Sequence, residues 1–389
     1  MAYPDSEPEV CRVIRRAAAN GATVRPVGAG HSSAPLVRTD DVLLSLDRLP
    51  AGVLDTPRDG QVWVGAGTRL HRLGEDLGRH RLAMVNLGDV DTQAIAGAVS
   101  TGTHGSGRGL PNLSALVTGV RMVTAAGQVQ QVEAEHDLDL LRAVQVSMGL
   151  LGVFTAVRVR VVPVFQARRR EWGLPVQQCL DTFDELLTSN RNVDFYWYPR
   201  RDDAHLRTVN PVDDDPGPWQ LPASGCTEEQ AGWSNATLSK RRSLRFHEIE
   251  YAVPAPAGPA CFQEVRHRIR SRHRQHTAWR VLYRYVAADA AYLSPAYGRD
   301  SVTISLHQNE NLPYREFFAD VEPIFLAYGG RPHWAKIHRL AGRRLLERYP
   351  QADRFLAARD RLDPHGLFVN DYLHHLLGLG DETAAAASL

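Results

Sequence analysis

The chain has 389 residues, with 45 Lys and Arg against 44 Asp and Glu, and a formal charge of +1, so nothing in its charge draws it toward nucleic acid or an acidic membrane. A composition of 43% hydrophobic and 23% charged residues is that of an ordinary globular protein, and the length points to about two domains of roughly 100–200 residues each. No apolar run approaches the roughly 20 residues of a membrane-spanning helix, and "MAYPDSEPEV" lacks the basic and apolar regions of a signal peptide, so a cytoplasmic location is expected.

The spacing of apolar residues predicts a helix over "SEPEVCRVIRRAAANG" (6–21), opened by glutamates and closed by Gly21, and then a strand in "ATVRPVG" that runs into a glycine turn. "DDVLLSL" and "QVWVGAG" read as further strands, and "TRLHRLGEDLGRHRL" (68–82) places leucines at helical spacing. After the glycine-rich 97–109, "ALVTGVRMVTAAGQVQQV" reads as two strands about an Ala-Ala-Gly-Gln turn. "HDLDLLRAVQVSMG" reads as a helix and "LLGVFTAVRVRVVPV" (150–164) as a long β-branched strand.

From about Phe165 the elements lengthen. "NPVDDDPGPWQLPASGCTEEQAG" (210–232) reads as a surface loop, and the alanine-rich "ETAAAASL" as a disordered tail. "VRHRIRSRHRQH" (265–276) reads as a solvated helix face, since no aromatic interleaving suggests a nucleic-acid surface. Cys11, Cys179, Cys226 and Cys261 form no CxxC pair, so neither a disulfide framework nor a metal site is expected. Lysine occurs only as Lys240 and Lys336, which makes each mildly informative in an arginine-rich chain.

"RPVGAGHSS" and "NLGDVDTQAIAGAVSTGTHGSG" (86–107) are small, polar and rich in glycine, the composition of loops whose backbone amides approach an anionic ligand. Two such loops suit a pyrophosphate. A dinucleotide-binding GxGxxG is incomplete here, and no GK[ST] phosphate loop occurs.

Together "RPVGAGHS", "NLGDVDTQAIAGAVSTGTHGSG", "GLLGVFTAVRVRVVP", "YVAADAAYLSPAYGRDSVTISLHQ", "GGRPHWAK" and "LDPHGLFVNDYL" resemble the sugar-lactone and alditol oxidases of the vanillyl-alcohol-oxidase flavoprotein superfamily, over about residues 6–375. The resemblance implies an α+β, two-domain fold. Residues 1–165 would form a PCMH-type FAD-binding domain. Residues 166–389 would form a substrate-binding cap with an antiparallel sheet flanked by helices, its segment 333–375 returning to the flavin.

By the same resemblance Pro26, Val27, Gly28, Ala29, Gly30, His31 and Ser32 would surround the FAD pyrophosphate, with His31 matching a histidine that many members bond covalently to the flavin. Gly88, Asp89, Ala94, Gly97, Val99, Ser100, Thr101, Gly102, His104 and Val153 match further cofactor-lining positions, Gly88 leaving room for dioxygen.

On the substrate side Arg284, Ser305, His307 and Lys336 match family positions, with His307 the base, Arg284 and Lys336 polarising groups, and Lys336 near the flavin as well, while Asp89 stands where alditol oxidases carry a serine near the substrate. Leu282 departs from the pattern, standing where the family carries glutamate two positions before the arginine.

The implied function is FAD-dependent oxidation of a CH–OH group in a sugar-like, polyol or aldonolactone substrate, by hydride transfer to flavin, with O₂ or another acceptor and H₂O₂ as product. Leu282 keeps two alternatives open: a tailoring oxidoreductase acting on an aminocyclitol or glycoside, and a non-catalytic flavin-binding relative.

Overall fold

A computed structural model describes residues 1–217, 225–239, 246–275, 277 and 279–380. Helix α1 (Glu7–Ala19) carries Glu7 and Glu9 in its first turn, where carboxylates complement unpaired backbone N–H groups, and buries Val10, Cys11, Ile14 and Ala17 at helical spacing. Gly21, at φ 65°, closes it. Strands β1 (Val24–Val27) and β2 (Val42–Ser45) pair in parallel.

An antiparallel sheet follows, built of β3 (Gln61–Gly65), β4 (Leu82–Met84), β5 (Val117–Val123), β6 (Val129–Glu133) and β7 (Val153–Pro163). Its order is β3-β7-β5-β6, with β4 also on β7. Helices α2 (Leu70–Arg79), α3 (Ile95–Ser100) and α4 (Leu138–Gln145) lie between these strands in the chain.

Two local expectations need correction. The helix expected over 68–82 ends at Arg79, because Arg81 takes φ 57° and Leu82 starts β4 opposite Pro163. The glycine-rich second loop contains helix α3, whose Gly97 hides it from propensity; burial of Ile95, Ala98 and Val99 stabilises it instead.

The rest of the chain forms an eight-stranded antiparallel sheet. Its strands are β8 (Gln166–Pro175), β9 (Asn192–Tyr198), β10 (Asp203–Pro211), β11 (Cys226–Trp233), β12 (Phe246–Pro254), β13 (Val281–Val286), β14 (Ser301–Asn309) and β15 (Arg331–Pro332). They run in the order β11-β8-β10-β9-β13-β14-β12-β15. The helices are α5 (Val176–Ser189), α6 (Ser234–Thr237), α7 (Gly258–Arg268), α8 (Arg315–Ala327), α9 (Gly342–Leu346), α10 (Ala352–Leu362) and α11 (Asp371–Leu377).

Side-chain alternation splits this sheet into two kinds of face. Phe195 of β9 and Tyr283 of β13 stack at 4.7 Å and meet Phe183 of α5 and Phe262 of α7 edge-on, with Phe183–Tyr283 at 5.0 Å and Phe195–Phe262 at 5.4 Å. That aromatic core sends the neighbouring Asp194, Tyr196, Leu282 and Arg284 to the other face, where the polar site is assembled.

Part of the expected surface loop 210–232 is strand β11, which pairs with β8 and joins Arg170 to Glu229 at 3.2 Å; the remainder, 218–224, lies outside the described residues. The arginine-rich segment is an ion-paired seam rather than a free solvated face. Arg266 bonds Asp202 at 2.6 Å, Arg268 bonds Asp320 at 2.9 Å, and Val265, Ile269 and His273 are buried; His276 is outside the described residues. The tail from residue 382 is outside them too. All four cysteines are free thiols, and among the described residues no helix is long and apolar enough to cross a membrane.

The C-terminal segment returns to the N-terminal strands. Val24 N–H donates to the Leu367 carbonyl at 2.7 Å, and Ser33 N–H to that of Ala335 at 2.8 Å. Arg25, wholly buried, donates to the carbonyls of Leu36 at 2.8 Å and Met148 at 2.5 Å, and to that of Phe368.

Candidate active site at the junction of two cavities

The first cavity is walled by Pro26, Val27, Gly28, Ala29, Gly30, His31 and Ser32 after β1, and by Gln93, Ala94, Ala96, Gly97, Ser100 and Thr101 around α3. The two loops touch through Gly28, where a Cβ would fall 2.7 Å from that of Ala94. Gly30 turns the chain at φ 64°, a conformation costly for any residue with a side chain. Among the described residues no Asp or Glu lines this cavity, while Arg25 does, so a pyrophosphate set there would meet no carboxylate repulsion. The residues present therefore fit FAD.

The second cavity shares His31, Ser32 and Gln93 with the first and reaches into the eight-stranded sheet. Gly88, Asp89, His104, Tyr196, Glu248, Glu250, Arg280, Leu282, Arg284, His307, His333 and Lys336 line it. Phe246, Trp279 and His307 form an aromatic group, with centroids 5.0 Å apart for Phe246–Trp279 and 5.2 Å for Phe246–His307, and Phe246 meets His31 edge-on at 6.4 Å.

Two glutamates at alternate positions of β12 organise the charge. Glu250, 1% exposed, takes Arg284 Nη2 on Oε2 at 2.6 Å and faces His104 Nε2 at 3.0 Å from Oε1, and the Ser305 hydroxyl also donates to it. Glu248, 4% exposed, pairs with Lys336 and lies 3.3 Å from His307 Nε2. Burial is the largest influence on both carboxyls and raises their pKa. Favourable neighbours outweigh it, so Lys336 with the His307 contact holds Glu248, and the His104 contact with Arg284 holds Glu250, below the ordinary carboxylate value. Burial likewise disfavours the charged Arg284, yet Glu250 and then Glu248 raise its pKa above the usual value.

His307 Nδ1 lies 3.1 Å from the Arg280 carbonyl, leaving Nε2 toward Glu248. His333 accepts the Ala335 N–H on Nδ1 at 3.1 Å, and burial pushes its pKa down to about 3, so it is neutral with its proton on Nε2. His104, Glu250 and His333 approach closely enough to invite comparison with a metal site, their candidate ligand atoms within 4.8 Å. Their donor atoms are already committed. Glu250 serves His104, Arg284 and Ser305, and His333 carries a proton where a metal would bind.

Several sequence-predicted positions fall elsewhere than expected. Val99 and Val153 are fully buried in the apolar core, and neither lines the cofactor cavity; Gly152 and Phe154, which flank Val153, do. Gly102 belongs to a separate small cavity beside Pro295. Ser305 does not line the second cavity, and its hydroxyl donates to Glu250. Gly88 and His104 line the second cavity rather than the first. Asp89 also faces the second cavity, bonded to Arg207 at 2.9 Å and to the Tyr196 hydroxyl at 2.8 Å, so it ties the glycine-rich loop to the large sheet.

Sequence reasoning missed Glu248, Glu250, Tyr196, Phe246, Trp279, Arg280, Gln93 and His333. The usable signal lay in "FHEIEYAVP", where two glutamates alternate with apolar residues on a strand that is otherwise core.

Residues 157–232 and 219–376 match the family described as D-arabinono-1,4-lactone oxidase, and residues 1–133 match an FAD-binding domain. The chain is 37% identical to an L-gulono-1,4-lactone dehydrogenase of Mycobacterium tuberculosis across 96% of this chain and 95% of the relative. It is 25% identical to the L-gulonolactone oxidase of Mus musculus across 95% and 93%. In fold it is similar to cholesterol oxidase from Brevibacterium sterolicum, with a TM-score of 0.82 at 16% identity, covering 96% of this chain and 93% of the other. A cradle suited to FAD, opening onto a cation-lined pocket, thus accompanies similarity along nearly the whole sequence. The chain belongs to the D-arabinono-1,4-lactone oxidase family and is an FAD-dependent oxidoreductase.

Proposed function

We propose that the protein oxidises a CH–OH group of an aldonolactone or closely similar sugar derivative, with residues 1–165 as the FAD-binding unit and 166–389 as the cap over the substrate, acting in the cytoplasm. The observation that carries this reading is the set Arg284, His307 and Lys336, held by Glu250 and Glu248 in a cavity that shares His31 with the FAD cradle.

Arg284 and Lys336 bind the substrate oxygens and stabilise negative charge developing on them. Arg284 Nε is buried and bonded to no described residue, which leaves a donor for the substrate. His307 Nε2 takes the hydroxyl proton, and the imidazolium so formed is stabilised by Glu248 at 3.3 Å. FAD, when bound, supplies the acceptor for the substrate hydride. His31 is the covalent tether: burial and then Lys336 lower its pKa, so a neutral ring nitrogen is available for the bond. Dioxygen is the terminal acceptor and H₂O₂ the product.

Leu282 favours a second reading, oxidation of a less conventional substrate such as a natural-product glycoside, since an isobutyl group binds no hydroxyl. Anaerobic mixing of the holoprotein with L-gulono-1,4-lactone tests the principal reading: the flavin's visible absorbance is expected to bleach. An unbleached flavin across aldonolactones overturns it.

A further inference from the structure

Arg280, Leu282 and Arg284 line the second cavity at alternate positions along β13 and the residue just before it. Arg284 is buried against Glu250, and Leu282 is 3% exposed. Arg280 is half-buried, its guanidinium lying 3.8 Å from the centroid of the Tyr196 ring. The ring is itself fixed, because its hydroxyl bonds Asp89 at 2.8 Å.

Each carboxylate of this cavity already has a cation: Glu248 has Lys336, Glu250 has Arg284, and Asp89 has Arg207. Among the described residues Arg280 pairs with no carboxylate. A glutamate at 282, on the same strand face two residues away, would have been its natural partner, and leucine stands there instead.

We infer that Arg280 is an anion subsite opened by Leu282, and that the substrate carries an oxyanion group, a carboxylate, beside the carbon framework that is oxidised. The inference rests on the lactone-oxidising reading above. The cation–π contact holds the guanidinium over Tyr196, and its N–H donors can engage a carboxylate with two parallel hydrogen bonds. Leu282 sharpens the selection, since it offers a neutral hydroxyl no partner and would repel no anion as glutamate would.

The test uses the holoenzyme and three probes: L-gulono-1,4-lactone, the lactone with a carboxylate in place of its terminal CH₂OH, and its terminal phosphate ester. Half-saturation is read both from anaerobic flavin reduction and from perturbation of the flavin spectrum on titration. The carboxylate probe is expected to half-saturate at about tenfold lower concentration than the neutral lactone, the size of one charge-assisted hydrogen bond. That preference weakens with added salt and is lost in R280M. L282E, which leaves Arg280 in place and gives it a carboxylate, abolishes the preference as well and serves if R280M loses its flavin.

Equal half-saturation for the charged and neutral probes, or a preference that survives both substitutions, overturns the inference. A preference for the phosphate ester keeps the subsite and changes its ligand. Arg280-dependent spectral binding without bleaching by any lactone sinks the proposed reaction and leaves the subsite standing. Bleaching by the neutral lactone with no charge preference does the reverse.

Discussion

Glu250 and Leu282 occupy one row of the large sheet, each the register partner of Ser305. A carboxylate is therefore present in the site although leucine stands at the position where the resemblance calls for glutamate. It comes from β12, on the far side of β14, and reaches the same arginine.

Substituting E250Q leaves Arg284 buried without its counter-charge and keeps only one acceptor oxygen, where His104 uses one carboxylate oxygen and Arg284 with Ser305 the other. A loss of roughly 3 kcal/mol in folding stability is expected, together with a fall in flavin-reduction rate of at least about a hundredfold. Urea unfolding and anaerobic mixing check the two effects separately. A variant as stable and as fast as the parent would show that Arg284 does not depend on this carboxylate.

Lys336 is half-buried and placed by Glu248, near His307. K336M removes a cation beside the reacting oxygen. We expect flavin reduction to slow by about 10²–10³-fold, as for loss of one preorganised donor, with a smaller effect on half-saturation. Arginine at this position should restore little, because a planar guanidinium does not occupy the ammonium's place.

The intact mass of the denatured protein is expected to exceed the chain mass by one FAD, and H31A to return it to the chain mass. Since the other lining residues of the two loops around the cradle remain, H31A protein is expected to stay yellow before denaturation. An unmodified mass in the parent protein would remove the covalent link while leaving the cradle.

Acid should weaken the fold through the second cavity. Burial lowers His333 to about 3, and Glu248 and Glu250 lie below the usual 4.5, so in each case the unfolded chain takes up protons first as pH falls. Stability is full above the ordinary imidazole value. It declines from there downward through His333, and further below the carboxylate value through the glutamates. His333 alone accounts for about 2 kcal/mol between pH 7 and pH 5, so H333N, whose amide oxygen still accepts the Ala335 N–H, should flatten that part of the curve in thermal melts.

The sequence showed the first cavity more clearly than the second. Pro26 to Ser32 and the residues around α3 are contiguous in the chain, and their small size is itself the message. The second cavity is assembled from β9, β12, β13 and β14 together with loops, so Glu248 and Arg280 come to line one space only through strand pairing over long sequence separations. Local spacing carries no record of such rows. Val99 and Val153 misled for the opposite reason: their neighbours line the cradle, and helical phase or strand alternation turns them inward, while Gly102 faces a separate small cavity.

Arg25 joins the cradle to a carbonyl 343 positions later in the chain. Asn370 adds bonds to the carbonyls of Leu36 at 3.3 Å and Arg38 at 2.7 Å. During synthesis the first strands thus emerge long before the groups that satisfy this buried guanidinium, and such distant pairings form late and slowly. Closure of the cradle's base is accordingly a late step of folding. A ribosome-bound chain lacking residues beyond 362 would hold both glycine-rich loops and still lack the Phe368 carbonyl and the Asn370 side chain that tie the first strands down.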